Sequence, residues 1–440
     1  MYVTRLGISG LRGFTPVREV RQLELPAAGW TVLAGRNGAG KTTLLRALAL
    51  ALGGPSVARS LVSDFSGWLT AGERTGWVQA FVRPDWSVDR LSGSGKAPKY
   101  DLQLGLRWTL PQAPGTPVVR GPRPELEAFG SASPERGPWA ENPRGWFFAG
   151  YGPFRRLFGG AGETQRLMLS AGPVGRLATL FHEEASLAEG VSWLIDQHVR
   201  RLEGRPGAQE ALDVVGHLLS DGLLPDGFRV ARVDSDGLWV DRGGGPEFPL
   251  RELSDGYRTV AALVLDLVRQ FQSCYGRLEQ DESGAVTLPG VVLIDEVDAH
   301  LHVSWQQRIG PWLTAHFPRV QFIVSTHSPY ICQAAAPGGL IRIAGPEEDE
   351  PPQPVGEALY RRVVYGSGDD AVLSDLFGLE SPYSARAEDA RRRIGDLEGR
   401  VLAGDADDAE LAEYQELTDT LMSSLSARVD EVSARLGRPR

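Results

Sequence analysis

The chain has 440 residues, with 46 basic and 56 acidic side chains and a formal net charge of −10. That length allows two or three domains, or one large domain with an insertion. The acidic total argues against a uniformly DNA-coating surface and leaves a local basic groove open. Two cysteines, Cys274 and Cys332, make neither a disulfide framework nor a metal site. The most apolar stretch, near Thr259–Val268, is interrupted by Asp266 and is too short for a membrane span. Met1-Tyr-Val-Thr-Arg5 has no charged-then-apolar leader pattern, so the expectation is a soluble, cytoplasmic protein with no membrane association. Only Lys41, Lys96 and Lys99 among the basic residues are lysines, which makes a lysine in a chemical position conspicuous.

The first 50 residues alternate like short strands, ending in Trp30-Thr-Val-Leu-Ala34. A glycine-rich turn, Gly35–Gly40, leads into a helical pattern from Lys41 that is expected to end at Gly53-Gly54. Thr75–Arg83 and Leu102–Leu110 read as strands, and the Gly- and Pro-rich stretch 111–145 as a long irregular loop. Trp146–Ala149 is a short apolar strand, Arg176–Leu219 is helical, and Val230–Val240 resembles a hairpin turning at Asp234–Gly237. Asp255–Phe271 is an amphipathic helix, Gly290–Ile294 a buried parallel-type strand, Trp305–Phe317 a helix and Val320–Ser325 another buried strand. A Pro- and acid-rich link covers 345–354. In the helical tail Leu417, Leu421, Leu425, Val429, Val432 and Leu436 fall on one stripe.

Four segments carry chemistry. Gly35-Arg36-Asn37-Gly38-Ala39-Gly40-Lys41-Thr42 fits G-x-x-x-x-G-K-[ST] in the required strand–loop–helix setting. Its glycines let backbone N–H groups turn inward around phosphate oxygens at the positive end of a helix. Lys41 is expected on the β- and γ-phosphates and Thr42 on Mg²⁺. Val291-Val-Leu-Ile-Asp295-Glu296 ends an apolar strand in two acids at the sheet edge where ligands bind. Asp295 is expected in the Mg²⁺ shell and Glu296 as the general base for water. Ser325-Thr326-His327-Ser328 places a histidine at another strand end, within reach of a γ-phosphate. Leu253-Ser254-Asp255-Gly256-Tyr257-Arg258 puts a serine and a glycine at a helix start, which makes either an anion site or a plain helix cap. His300 and His302 form an H-x-H pair without further ligands, which is poor evidence for a metal.

Taken together and in this order, these segments resemble the ABC-type ATPases of the SMC and RecF group. The resemblance covers about residues 1–90 and 250–345. It implies an α/β fold: an ABC-type P-loop nucleotide-binding domain with a mixed sheet, an inserted α/β lid (91–249), a linker (346–355) and a helical C-terminal region for partner docking (356–440). It makes Gly35–Thr42 the Walker A loop, with Thr43 beside it, and Asp295-Glu296 Walker B. Asp298 falls in the D-loop, Leu253–Tyr257 is the signature and His327 the switch histidine. ATP and Mg²⁺ are the implied cofactors, and Glu296, Lys41 and His327 the catalytic set. The signature departs from the usual L-S-G-G-Q at Asp255 and Tyr257, a spelling familiar in RecF-like rather than transporter ATPases. A head-to-tail dimer is implied, with Ser254 and Gly256 contacting the γ-phosphate in trans.

A narrower resemblance, to the ATPase subunit of Septu and related retron antiphage systems, rests on Tyr151-Gly-Pro-Phe-Arg-Arg156, Thr179–His182, Ser192–Leu194, Leu253–Arg258 and the region after Asp375–Gly378. It implies a separate HNH nuclease partner. The alternatives are a RecF-like repair or replication ATPase that binds DNA without a nuclease, and a slow-turnover nucleotide-dependent scaffold. Arg155 and Arg156 are candidates for phosphate or DNA backbone, against a solvated or core-paired reading, and Gln79 for the family's glutamine loop, against a plain strand residue.

Overall fold

The computed structural model describes residues 1–94, 97–111, 123–130, 134–157, 163–170, 172–224, 227–379, 381 and 383–421. In chain order, β1 (Tyr2–Ser9), β2 (Val20–Glu24) and β3 (Gly29–Ala34) lead to helix α1 (Lys41–Leu61). Strands β4 (Thr75–Arg83), β5 (Leu102–Thr109), β6 (Glu125–Gly130) and β7 (Phe148–Tyr151) follow. Then come helices α2 (Glu163–Met168), α3 (Pro173–Phe181), α4 (Glu189–Leu202) and α5 (Ala208–Ser220), and strands β8 (Arg229–Asp234), β9 (Gly237–Asp241) and β10 (Phe248–Pro249). The chain continues through α6 (Asp255–Tyr275), β11 (Gly290–Ile294), α7 (Val303–His316), β12 (Val320–Thr326), α8 (Pro329–Cys332), β13 (Leu340–Arg342) and β14 (Gln353–Pro354). Helices α9 (Glu357–Tyr365), α10 (Gly368–Val372), α11 (Ala385–Ala403) and α12 (Asp408–Leu421) complete it.

The central sheet runs β14-β13-β3-β12-β11-β7. Strands β13, β3, β12, β11 and β7 are mutually parallel, so their C-terminal ends share one edge. Both faces of this sheet are covered, which explains why the strands are apolar throughout rather than alternating. Leu33, Val291, Leu293, Ile323 and Ile341 face a core shared with α1 and the antiparallel sheet β2-β1-β4-β5-β6. Val32, Ala34, Val292, Ile294 and Val324 face the opposite core, built mainly from α4, α5, α6 and α7. The P-loop fold expected from the motifs is therefore borne out: phosphate loop and paired acids leave the same edge of a mixed α/β arrangement.

Several local expectations need correction. Helix α1 does not end at Gly53-Gly54. It breaks there and resumes to Leu61, because Gly54 takes φ 79° with the Trp139 ring packed where a side chain would start. Trp139 Nε1 also donates to the Ala51 carbonyl at 2.9 Å. Within the stretch read as irregular, Glu125–Gly130 is a strand, paired along β5 at the sheet edge. Residues 91–249 are shared among sheets: β5 and β6 extend the antiparallel sheet, β7 joins the parallel sheet beside β11, and β8, β9 and β10 form a small sheet of their own. The Pro- and acid-rich link is pinned rather than free. Gln353 pairs with Arg342 in β13, and the Arg342 guanidinium bonds Glu348 and Glu350. Helices α9 and α10 lie in the same compact unit as the sheets, which extends to Phe377.

The second unit begins at Gly378. Its helices α11 and α12 form a hairpin turning at Gly404 (φ 78°), with Arg393 paired to Glu413 at 2.6 Å and Arg400 to Glu410. The predicted apolar stripe lies outside the described residues beyond Leu421.

Candidate nucleotide site

The phosphate loop is shaped by backbone as much as by side chains. Gly38 and Gly40 adopt φ 75° and 105°, conformations costly for any residue with a Cβ. Gly35 is required for a different reason: a Cβ there would stand 2.3 Å from the Ile343 carbonyl oxygen at the end of β13. Gly40 caps α1 without any side-chain bond, so the first-turn amides of that helix face outward, as an anion site needs. Arg36, Asn37 and Gly38 are exposed, whereas Ala39 and Thr43 are buried.

Lys41 is 6 % exposed, and its Nζ donates to the carbonyls of Gly35 at 2.7 Å and Arg36 at 3.0 Å. Burial pushes its ammonium down to about 8, against the pull of Asp295, Glu296 and Asp298. Thr42 Oγ1 donates to Asp295 Oδ1 at 3.1 Å, and Ser325 Oγ donates to the same oxygen at 2.5 Å. The Glu296 amide in turn donates to Ser325 Oγ at 2.8 Å. Thr326 Oγ1 donates to Asp298 Oδ1 at 2.5 Å. Burial, then the charges of Asp295 and Asp298, raises the Glu296 carboxyl; Lys41 and Arg155 oppose. Burial, then Lys41, lowers His327, with Asp298 and Asp295 opposing. Lys41, Thr42, Asp295, Glu296 and His327 thus share one electrostatic neighbourhood at the parallel-sheet edge. The chemistry of this donor set suits Mg²⁺: one hydroxyl and one carboxylate in mutual contact, leaving phosphate and water to complete the shell. Among the described residues no group of three or more His, Cys, Asp or Glu side chains could hold a metal unaided.

The signature residues are placed elsewhere. Ser254 precedes α6 in extended conformation, is exposed, and makes no capping bond with its side chain, so the plain-cap reading does not describe it. Asp255 pairs with Arg258, Tyr257 stands edge-on to Trp305 at 6.0 Å, and Gly256 leaves only 3.0 Å between a would-be Cβ and the His300 carbonyl. None of these partners belongs to the phosphate-loop cluster. A cavity of about 320 Å³ opens beside Asp255, Arg258 and His300. His302 caps α7, its Nδ1 accepting from the Ser304 amide at 3.3 Å.

Two buried arginines outside the nucleotide segments matter. Arg155 is not a surface contact for phosphate or DNA. It is 2 % exposed and bonded to the backbone carbonyls of Asp295 and Glu296 themselves, the core-paired alternative. Arg18 is 3 % exposed and ties Gly13, Ala39 and Ala344 together through their carbonyls. Ser325 and Thr326, which the third segment contains without a role, supply the hydroxyls that bond Asp295 and Asp298. Gln79 sits mid-strand in β4 of the antiparallel sheet, paired with Gly7 of β1 and Gly105 of β5.

Two family models match parts of the chain, one described as "AAA domain" over residues 5–91 and one as "AAA domain, putative AbiEii toxin, Type IV TA system" over 194–333. The Retron Ec83 probable ATPase of Escherichia coli is 44% identical over 81 residues, 18% of this chain and 14% of that protein. The Septu protein PtuA of Bacillus mycoides (strain KBAB4) is 36% identical over 101 residues, 23% of this chain and 13% of that protein. The Septu protein PtuA of Bacillus thuringiensis is 30% identical over 169 residues, 37% of this chain and 41% of that protein. The chain therefore spans less than half the length of each of these relatives. An SMC head bound to the C-terminal winged-helix domain of ScpA covers 81% of this chain and 98% of its own, at 15% identity and a TM-score of 0.46. No helix among the described residues is long and apolar enough to cross a membrane. The narrower resemblance stated from the sequence is borne out by these relatives: over part of its length the chain is similar to the probable ATPase of a retron and to the Septu protein PtuA.

Proposed function

We propose that the chain binds ATP with Mg²⁺ on the Gly35–Thr42 loop and hydrolyses it in the cytoplasm. The cycle closes and reopens a head-to-tail dimer that regulates a partner nuclease in antiphage defence. The observation that carries this reading is the continuous hydrogen-bonded set Thr42–Asp295–Ser325–Glu296, which joins Walker A to Walker B across the middle strand.

The amides of the loop and the start of α1 hold the phosphates, and Lys41 turns from the Gly35 and Arg36 carbonyls to the β- and γ-phosphates. Thr42 and Asp295 would hold Mg²⁺, which supplies charge neutralisation to the phosphates when bound. Glu296 orients the attacking water and accepts its proton. The raised carboxyl suits that task, since a stronger base accepts the proton more readily. The new bond joins the water oxygen to the γ-phosphorus; the bond to the β–γ bridging oxygen breaks. His327 stands beside Lys41 and Asp298, where it can sense the γ-phosphate.

Ser254, Asp255, Gly256 and Tyr257 serve a second copy of the chain, with the exposed Ser254 hydroxyl and the start of α6 closing over its γ-phosphate. The Septu and retron relatives support the defence reading, and the family resemblance supports an HNH nuclease as the partner. The test is to size Glu296→Gln with and without Mg·ATP by light scattering and to measure phosphate release. The expected result is a trapped ATP-bound dimer with little turnover. Phosphate release equal to that of the unaltered protein would overturn the role of Glu296, and an ATP-independent size would overturn the dimer.

A further inference from the structure

We infer that Arg155 is a positioning residue for hydrolysis, holding the turn that carries Glu296 and Asp298 from a buried seat beside it. The inference rests on the ATPase reading and names a part of that site outside the four nucleotide segments.

The turn from Asp295 to His300 has a geometric problem. Glu296 lies at φ 46° and His300 at φ 65°, both in the left-handed region that non-glycine residues rarely occupy. Such conformations persist only where their surroundings over-determine them. The same turn converges several carbonyl oxygens on one point away from water. Unpaired, those oxygens would repel one another and lack partners.

Arg155 meets both demands. It follows β7, which pairs in parallel with β11, so the chain leaving Tyr151 runs directly beside the chain leaving Ile294. Its Nη1 donates to the carbonyls of Gly152 at 2.8 Å and Asp295 at 3.1 Å. Its Nη2 donates to Glu296 at 3.3 Å, Val297 at 3.1 Å and Ala299 at 3.4 Å. One rigid planar fork thus reaches four carbonyls in a five-residue turn, with a fifth at its own strand end. From the β12 side, the Ser325 hydroxyl accepts the Glu296 amide, and the Val297 amide bonds the Ser325 carbonyl at 3.0 Å. The turn is held between β12 and Arg155.

A flexible ammonium cannot reproduce this fork, because its donors radiate from one atom. Arg155→Lys keeps the charge and the stem while relaxing the turn, so it displaces the base without removing it. A misplacement on the order of 1 Å costs about 100-fold in rate when the reacting groups remain present.

The experiment measures ATP affinity with a fluorescent ATP analogue, and kcat and KM for phosphate release, in four proteins. These are the unaltered chain, Arg155→Lys, Arg155→Met and Glu296→Gln, each checked for folding by thermal melting. The expected result is a fall in kcat of about 10- to 100-fold for lysine and a larger one for methionine, with analogue affinity within about threefold of the unaltered chain. A lysine variant that retains full kcat while Glu296→Gln is inactive overturns the inference and leaves the ATPase reading standing. Failure of the unaltered chain to hydrolyse ATP overturns that reading itself. A lysine variant that is unfolded, or that loses analogue affinity and kcat together, also overturns the inference, because Arg155 would then serve stability alone.

Discussion

The two helix starts that carry the nucleotide motifs are built differently. At α1 the loop is wired into the protein: Lys41 is buried on two carbonyls, Thr42 is bonded to Asp295, and Arg18 clasps the Ala39 carbonyl from behind. At α6 the corresponding residues are open: Ser254 is exposed with no capping bond, and Asp255 is 80 % exposed. Both starts present first-turn amides without a side-chain cap, yet among the described residues only the first adjoins the acids and hydroxyls of Asp295, Glu296 and Ser325. The difference is what the proposed dimer requires: one half of the proposed phosphate site is assembled within the protomer, while the other is left open at α6. That asymmetry fits a site completed between two copies.

The comparison can be broken or sharpened by graded substitutions. The largest effect is expected from Glu296→Gln, with turnover down by about 100- to 10,000-fold and ATP binding retained, measured as single-turnover phosphate release. Lys41→Ala should weaken ATP binding by about 100-fold or more, seen by calorimetry, since it deletes the one buried cation on the loop. Ser254→Arg should leave monomer ATP binding unchanged and lower turnover by about tenfold or more, with loss of its dependence on protein concentration. Normal turnover in that variant would remove α6 from the site. Gly35→Ala should destabilise the fold by about 2–4 kcal/mol in urea titration, because its Cβ meets the Ile343 carbonyl rather than a movable side chain.

The smallest effect concerns protons. Burial among the loop carbonyls brings Lys41 down to about 8, and phosphate binding should restore its charge. ATP binding at pH 8 should therefore take up about half a proton per site through Lys41, and close to none at pH 6.5. Calorimetry in buffers of different ionisation enthalpy measures this, and Lys41→Arg should abolish it. The sign for stability follows from the same shift: between about 8 and the ordinary lysine value the unfolded chain binds more protons, so Lys41 makes stability rise with pH across that window.

Much of this site was legible in the sequence because it is local. Gly35–Thr42, Asp295-Glu296 and Ser325–His327 each sit at the end of an apolar run, and parallel pairing brings such ends to one edge. What could not be read depends on pairings between distant segments. Arg155 acquires its role only because β7 lies beside β11, with 140 residues between the arginine and Asp295. Arg18 meets Ala344 across 326 residues, and no local pattern marks it. The strand Glu125–Gly130 escaped notice because an edge strand needs few apolar residues and its neighbours are glycines and prolines. The kink at Gly54 passed for a helix end because its cause, the Trp139 ring, arrives from 85 positions further on.

The order of strands in the central sheet has one more consequence. β12 lies between β3 and β11, so the strands that deliver the lysine loop and the carboxylates are separated by two inter-strand spacings, about 10 Å. β12 therefore acts as a ruler. Its terminal residues Ser325 and Thr326 stand at the midpoint, where their hydroxyls bond Asp295 and Asp298 and so fix the carboxylates that follow β11 relative to the loop that follows β3.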